Sequence, residues 1–364
     1  MRVRNSVIAR SSPNSRKCTR GRISHPADEG LVLTALQRQL RTTALIVDEF
    51  IDSVLHSRPT DLYDATAHYI KNGGKRLRPF LLIKSCELLG GMIEQALPIA
   101  AAIEMVHNFT LIHDDIIDND DFRHNVPTVH RQYGLPLAIL GGDTLIIKAF
   151  QCITTDGARL GLSGDVIVEL MATLTQSCLD MSEGEALDMD MASNGKFFSE
   201  SQYIEMIAKK TAALFQTSCQ LGALSAQSGK DDVCNLGYYG KNLGIAFQLI
   251  DDLIGVAGNP TVTKKPAGND LREGKKTLPI LLAMRKTKGH DREKLLRVFG
   301  RKNSSDSELQ EALSVLTGTG VDREVRNRAR LYAMKALHSI NAYGDSESKK
   351  ALQSVADFVV ERTF

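Results

Sequence analysis

Two short acidic segments carry the chemistry that can be read from residue types and spacing. In LIHDDIIDNDD, residues 111–121, Asp114 and Asp118 stand four positions apart, so a helix puts both carboxylates on one face, one turn apart. Asp115 is adjacent, and Leu111, His107 and Glu104 continue the stripe backwards. Like charges at that spacing destabilise a helix unless a cation sits between them. Hard oxygen donors without sulfur suit magnesium, which binds through one or two carboxylates together with substrate phosphates. Taken alone, the segment reads as readily as a solvated acidic face. Its neighbours Phe109, Leu111, Ile112, Ile116 and Ile117 argue instead for a buried cleft. In FQLIDDLIG, residues 247–255, Gln248, Asp251, Asp252 and Gly255 fall at i, i+3, i+4 and i+7, again in apolar surroundings. One polyanion held by metal ions accounts for both segments.

The third segment is basic. GGKRLRP, residues 73–79, supplies Lys75, Arg76 and Arg78 after a glycine pair that permits a tight turn. Arg78 offers a planar fork for phosphate oxygens and Lys75 a point charge. Pro79 is expected at the first position of the next helix. Lys210–Thr211 and GNDLREGKKT, residues 268–277, add Arg272, Lys275 and Lys276. On its own, such a lysine loop reads as solvated surface.

These side chains need long helices to hold them, and the rest of the chain supplies that pattern. Proline is missing from Leu137 through Asn259, while apolar residues recur at three- and four-residue steps, as in Ile204, Ile207, Leu214 and Leu221. Gly and Pro cluster between such stretches, and no repeat of 20–50 residues is visible. The expected fold is all-α, a single domain over residues 29–364 with ten or more helices around a central cavity. Residues 1–28 differ: seven Arg and Lys lie among serines, with no acid before Asp28. They read as a basic tail, disordered or transit-like, with a cytoplasmic location expected and an organellar one as the alternative.

Composition narrows the classes. The chain has 364 residues, a formal charge of +2, 5% aromatic residues and no Trp, which disfavours nucleic acid as a partner. Six cysteines without a C-x-x-C pair point to neither zinc nor a disulfide framework. No transmembrane segment is expected. The nearest apolar candidate, Leu97 to Ile112, is broken by Glu104, His107 and Asn108.

Together, GGKRLRP, DDIID, the Lys210–Thr211 pair and FQLIDDLIG resemble the trans-isoprenyl diphosphate synthases in order and approximate spacing. DDLIG and NDLREGKKTLP look most like the archaeal-type geranylgeranyl diphosphate synthases. The resemblance implies an all-helical prenyltransferase that joins isopentenyl diphosphate to dimethylallyl, geranyl or farnesyl diphosphate. Ionisation is assisted by magnesium, three ions per site, and is followed by condensation and proton loss. It implies metal binding at Asp114, Asp118 and Asp251, with Asp270 as an outlying acid. The isopentenyl diphosphate pocket falls on Lys75, Arg78 and His107. Cations for the allylic diphosphate fall on Arg123, Lys210, Lys265 and Lys275, and polar groups near the reacting carbons on Thr211 and Gln248. Phe109, five residues and about 7.5 Å before Asp114 along a helix, resembles the bulky residue that limits product length. Read without the family, it is ordinary core. A geranylgeranyl product is expected, with farnesyl diphosphate as the alternative, and the chain is expected to be a homodimer.

This sequence departs from the family's pattern at three places. His124 follows Arg123 where a second arginine is frequent, Gly255 replaces a third aspartate, and Glu185 stands in GEALD where Gln is common. Two other readings compete. A terpene cyclase needs no second diphosphate pocket, which GGKRLRP supplies. A non-catalytic regulatory subunit loses acids from the motifs, and all five are present here.

Overall fold

The structure is a computed structural model that describes residues 34–123, 125–194, 197–257 and 268–362. The basic tail, His124 and Lys265 lie outside the described residues. A run of helices begins with α1 (Ala35–Val54), α2 (Thr60–Thr66), α3 (His68–Lys71), α4 (Leu77–Leu88) and α5 (Ile93–Ile117). After a short ribbon come α6 (Val129–Tyr133), α7 (Leu135–Gln151), α8 (Gly157–Arg159), α9 (Gly164–Ser193), α10 (Glu200–Ile207), α11 (Ala213–Ser225) and α12 (Lys230–Ala257). The chain closes with α13 (Asn269–Glu273), α14 (Leu278–Lys286), α15 (Gly289–Val298), α16 (Asp306–Gly318), α17 (Val321–Ser339) and α18 (Glu347–Glu361). The all-α expectation is met. Among the described residues, β structure is confined to an antiparallel two-residue ribbon that pairs Phe122 with Pro127 and Arg123 with Val126.

Local sequence sets the helix ends. Ser199 and Ser305 form capping boxes with Gln202 and Glu308, and Ser163 caps α9 through the Val166 amide. Pro79 sits two residues inside α4, which begins at Leu77 rather than at the proline. It is tolerated there because amides of the first turn have no intrahelical partner.

Two apolar clusters fill the interior. One surrounds α12 and takes in α14, α16, α17 and α18; the other surrounds α5 and takes in α1 and α7. The middle of α5, from Ile99 to Val106, is buried all round, as expected of a helix at the centre of a bundle. Contrary to the expectation that no stretch would be long and apolar enough to cross a membrane, one is present among the described residues: Leu135–Arg159, 25 residues with mean hydropathy 1.4. This stretch includes α7, which packs on α5 and leaves Leu135, Ile139, Leu140 and Ile147 exposed.

Candidate active site

Both aspartate pairs are built alike. On α5, Asp114 is half-buried, whereas Asp115 is buried. Asp115 accepts from the Tyr69 hydroxyl of α3, and Arg123 donates to it from Nε at 2.7 Å and approaches with Nη2 at 2.6 Å. On α12, Asp251 is exposed and Asp252 is 7% exposed. Asp252 accepts from the Tyr203 hydroxyl of α10, and Gln248 Nε2 donates to it at 2.7 Å. In each pair the first carboxylate is the more exposed and the second ties its helix to a neighbour through a buried tyrosine. Burial, with the Tyr203 and Gln248 bonds only partly opposing it, pushes the Asp252 carboxyl up to about 8.

Lys210 and Thr211 sit in a π-turn, Ala208–Ala212, between α10 and α11, a distortion that recurs at functional sites. The turn can lie against α9 only because residue 184 is glycine: a Cβ there would meet the Lys210 amide nitrogen at 2.2 Å. Lys210 Nζ reaches Glu185 Oε2 at 2.7 Å and Asp188 Oδ2 at 2.6 Å. Burial opposes its charge, but these two acids hold the ammonium above its ordinary value. The same group of side chains includes Asp114, whose carboxyl is pushed up to about 7 by burial and then by Glu185, with Lys210 and Arg123 opposing. Thr211 Oγ1 donates to Gln248 Oε1 at 2.8 Å, so the π-turn and the second acid pair are joined through Gln248.

The two acid groups share one neighbourhood. Gly255 is open because the Asp270 carboxylate occupies the space its side chain would fill; a Cβ would lie 2.3 Å from Oδ2. Lys275 pairs with Glu273 at 2.8 Å. Partial burial works against its charge, yet Glu273, Asp270 and Asp118 keep the ammonium above its ordinary range. Lys275 therefore stands where the fields of both motifs overlap. Arg78 donates to His107 Nε2 at 3.1 Å, lies 4.5 Å from the Phe215 ring centre and keeps a buried Nε without a hydrogen-bond partner. Burial pulls its pKa down to about 10, against the attraction of Glu104 and Asp251. Lys75 is exposed over the Phe358 ring, and burial together with Arg362 lowers its pKa.

Arg76, the third cation of that segment, does something different. Its backbone is left-handed, φ 47°, and its side chain is 3% exposed. It donates from Nε to Asp48 at 2.6 Å, from Nη1 to Glu104 at 2.9 Å and from Nη2 to the Ile70 carbonyl at 2.8 Å. It is the internal post of the loop that presents Lys75 and Arg78. Sequence reasoning missed two further participants, Tyr69 and Tyr203, and also Arg362, whose guanidinium covers the Phe247 ring at 4.8 Å and lies 3.4 Å from Asp251. No local spacing signals any of the three. Phe109 is half-buried, edge-on to His113 with ring centres 4.6 Å apart.

Residues 59–316 match the family of polyprenyl synthetases. The chain belongs to that family. It is 39% identical to a geranylgeranyl diphosphate synthase of Sulfolobus acidocaldarius over 87% of this chain and 95% of that protein. It is 38% identical to a geranylfarnesyl diphosphate synthase of Aeropyrum pernix over 87% and 99%. The crystal structure of a geranylgeranyl pyrophosphate synthetase from Pyrococcus horikoshii superposes with a TM-score of 0.84 at 33% identity, covering 90% and 98%. The chain is a trans-prenyltransferase, and its substrates are isoprenoid diphosphates.

Proposed function

We propose that this chain elongates allylic diphosphates with isopentenyl diphosphate to geranylgeranyl diphosphate, with magnesium at the acid groups. The observation that carries the reading is the grouping of Asp114, Glu185, Asp188 and Lys210, with Asp251, Asp252, Thr211 and Gln248 joined to it. The donor set fits the metal: the carboxylates are hard oxygens, and burial with Glu185 nearby makes the charged form of Asp114 costly unless a cation joins it. Asp114, Asp118 and Asp251 are the residues that would hold magnesium. When bound, it supplies charge neutralisation for the diphosphate as the allylic carbon–oxygen bond breaks.

The chain's own side chains do the rest. Lys210, Arg123 and Lys275 grip the allylic diphosphate and stabilise the charge that grows on it in the transition state. Lys75, Arg78 and His107 hold the second diphosphate. Arg78 is already fixed between His107 and Phe215, so little ordering remains for binding to cost. The isopentenyl double bond attacks the allylic carbon, and the proton lost afterwards goes to the departing diphosphate. The apolar flanks of both motifs exclude water that would quench the cation. Phe109 stands below Asp114 as the stop for the growing chain, which favours twenty carbons.

A second copy is the occupant that suits the exposed side of α7. Leu140 and Ile147, seven residues apart on one face of a helix packed at its back, are 51% and 66% exposed, and exposed apolar residues grouped in this way suit an interface. The activity test is incubation of the purified chain with isopentenyl diphosphate, each allylic primer and magnesium, followed by chain-length analysis. A twenty-carbon product supports the reading. Products formed without isopentenyl diphosphate would indicate a cyclase, and no turnover by the chain alone would indicate a regulatory subunit.

A further inference from the structure

Glu185, a departure from the pattern the family resemblance implies, does not sit idle. Its carboxylate lies 2.7 Å from Lys210 Nζ, and Asp188 lies 2.6 Å from the same nitrogen. The Glu185 side chain is only 17% exposed and the Lys210 side chain 26%. An ion pair this sheltered from water is screened far less than a surface pair. Lys210 also sits in the π-turn, whose backbone is held close to Gly184. Before any ligand arrives, its one positive charge is shared between two carboxylates. A diphosphate that approaches it meets Glu185, Asp188 and Asp114 as well, and each repels the ligand.

We propose that Glu185 makes primer binding depend on the divalent metal by sequestering Lys210 until the acids are neutralised. Without the metal, Lys210 is a counterion of the protein. With the metal on Asp114 and Asp118, positive charge beside Glu185 offsets its field, and the ammonium turns to the diphosphate. A glutamine at 185 keeps the shape and can still accept one hydrogen bond from Lys210, but holds it with a neutral dipole. Charge-assisted bonds are roughly twice as strong as neutral ones, so the gate weakens without the loop having to move. The device orders events: an uncomplexed diphosphate is refused, and the ionisable primer is gripped only where metal is present to draw off its leaving group. This inference rests on the proposed allylic site and adds a role that the family resemblance does not assign.

The test is calorimetric binding of inorganic pyrophosphate to the full chain, with magnesium and with the metal removed by chelator. The variants are Glu185→Gln, Lys210→Met and the double variant. In the wild type, pyrophosphate binds with magnesium and is expected to bind at least about a hundredfold more weakly without it. Glu185→Gln is expected to tighten metal-free binding by about tenfold, the size of one charge-assisted hydrogen bond, and to change the magnesium-loaded affinity by much less. In the Lys210→Met background the same substitution is expected to do little. Equal metal-free affinity in wild type and Glu185→Gln would overturn the inference. So would a gain that persists in the Lys210→Met background, because it would then be general charge repulsion and not release of Lys210. Failure of wild type to bind pyrophosphate even with magnesium would instead overturn the reading of the site itself.

Discussion

Replacing Arg76 by methionine tests whether the basic loop depends on an internal charge. Methionine keeps the apolar stem but supplies none of the three bonds to Asp48, Glu104 and the Ile70 carbonyl. Glu104 suffers most. Its side chain is 4% exposed, and its remaining side-chain donor is Asn108 Nδ2 at 3.2 Å. Leaving one member of a buried ion pair alone costs about 3–5 kcal/mol. Asp48 is 35% exposed and re-solvates, so its share is below about 1 kcal/mol. An orphaned Ile70 carbonyl adds roughly 1–2 kcal/mol. The sum, about 4–7 kcal/mol, is a large part of the roughly 5–15 kcal/mol that holds a domain together. Chemical denaturation reads it directly. Pairing the substitution with Glu104→Gln removes the stranded charge and is expected to recover about half of the loss. Because Arg76 holds a left-handed residue between Lys75 and Arg78, the KM for isopentenyl diphosphate is expected to rise more than that for the allylic primer. A stability loss below about 1 kcal/mol, or no recovery in the double variant, would refute the reasoning.

Phe109→Ala is expected to lengthen the product by at least one five-carbon unit, read by chromatography of the hydrolysed products; unchanged length removes Phe109 from that role. Asp114→Ala is expected to lower turnover by several orders of magnitude, and near-normal turnover in a steady-state assay would contradict metal-assisted ionisation there. The Asp114 carboxyl, raised by burial and Glu185 to about 7, binds a proton in the folded chain where an unfolded one has lost it. Metal-free stability is therefore expected to fall as pH rises from about 4 to about 7, with Asp252 extending the decline toward about 8. Magnesium binding at pH 6 is expected to release protons, seen as a buffer-dependent heat; no buffer dependence would count against Asp114 as a ligand. Ile147→Asp, on the exposed side of α7, is expected to shift the chain to monomer in sedimentation, and an unmoved profile would place the interface elsewhere.

The four-residue step between Asp114 and Asp118, and the i, i+3, i+4, i+7 run from Gln248 to Gly255, were legible because a helix converts spacing into a shared face with no tertiary information. Which aspartate of each pair is buried was not legible from spacing. Asp114 and Asp115 are identical in local context, and what separates them is Tyr69, 46 residues away. Asp252 is chosen by Tyr203 at a distance of 49 residues. The same holds for the cations of GGKRLRP. Lys75, Arg76 and Arg78 look equivalent as charges, but one of them turns inward because Asp48 and Glu104 come from α1 and α5 to meet it. The π-turn under Lys210 was illegible for another reason: its sequence, AKKTA, is ordinary helix former, and the extra residue is accommodated by the closeness of Gly184.

The paired aspartates also answer how one protein can keep so many acids together. Asp114, Asp118, Glu185, Asp188, Asp251 and Asp270 repel one another, and the repulsion would splay α5, α9 and α12 if those helices were held only by apolar contact. Asp115 and Asp252 oppose this by tying their helices to fixed partners, Arg123 and Tyr69 in one case and Tyr203 and Gln248 in the other. Each is buried beside an acid of the repelling group, so the anchoring acts within one residue of where the repulsion acts. A preorganised array aimed at a leaving diphosphate lowers a barrier only if it stays in place while the charge grows.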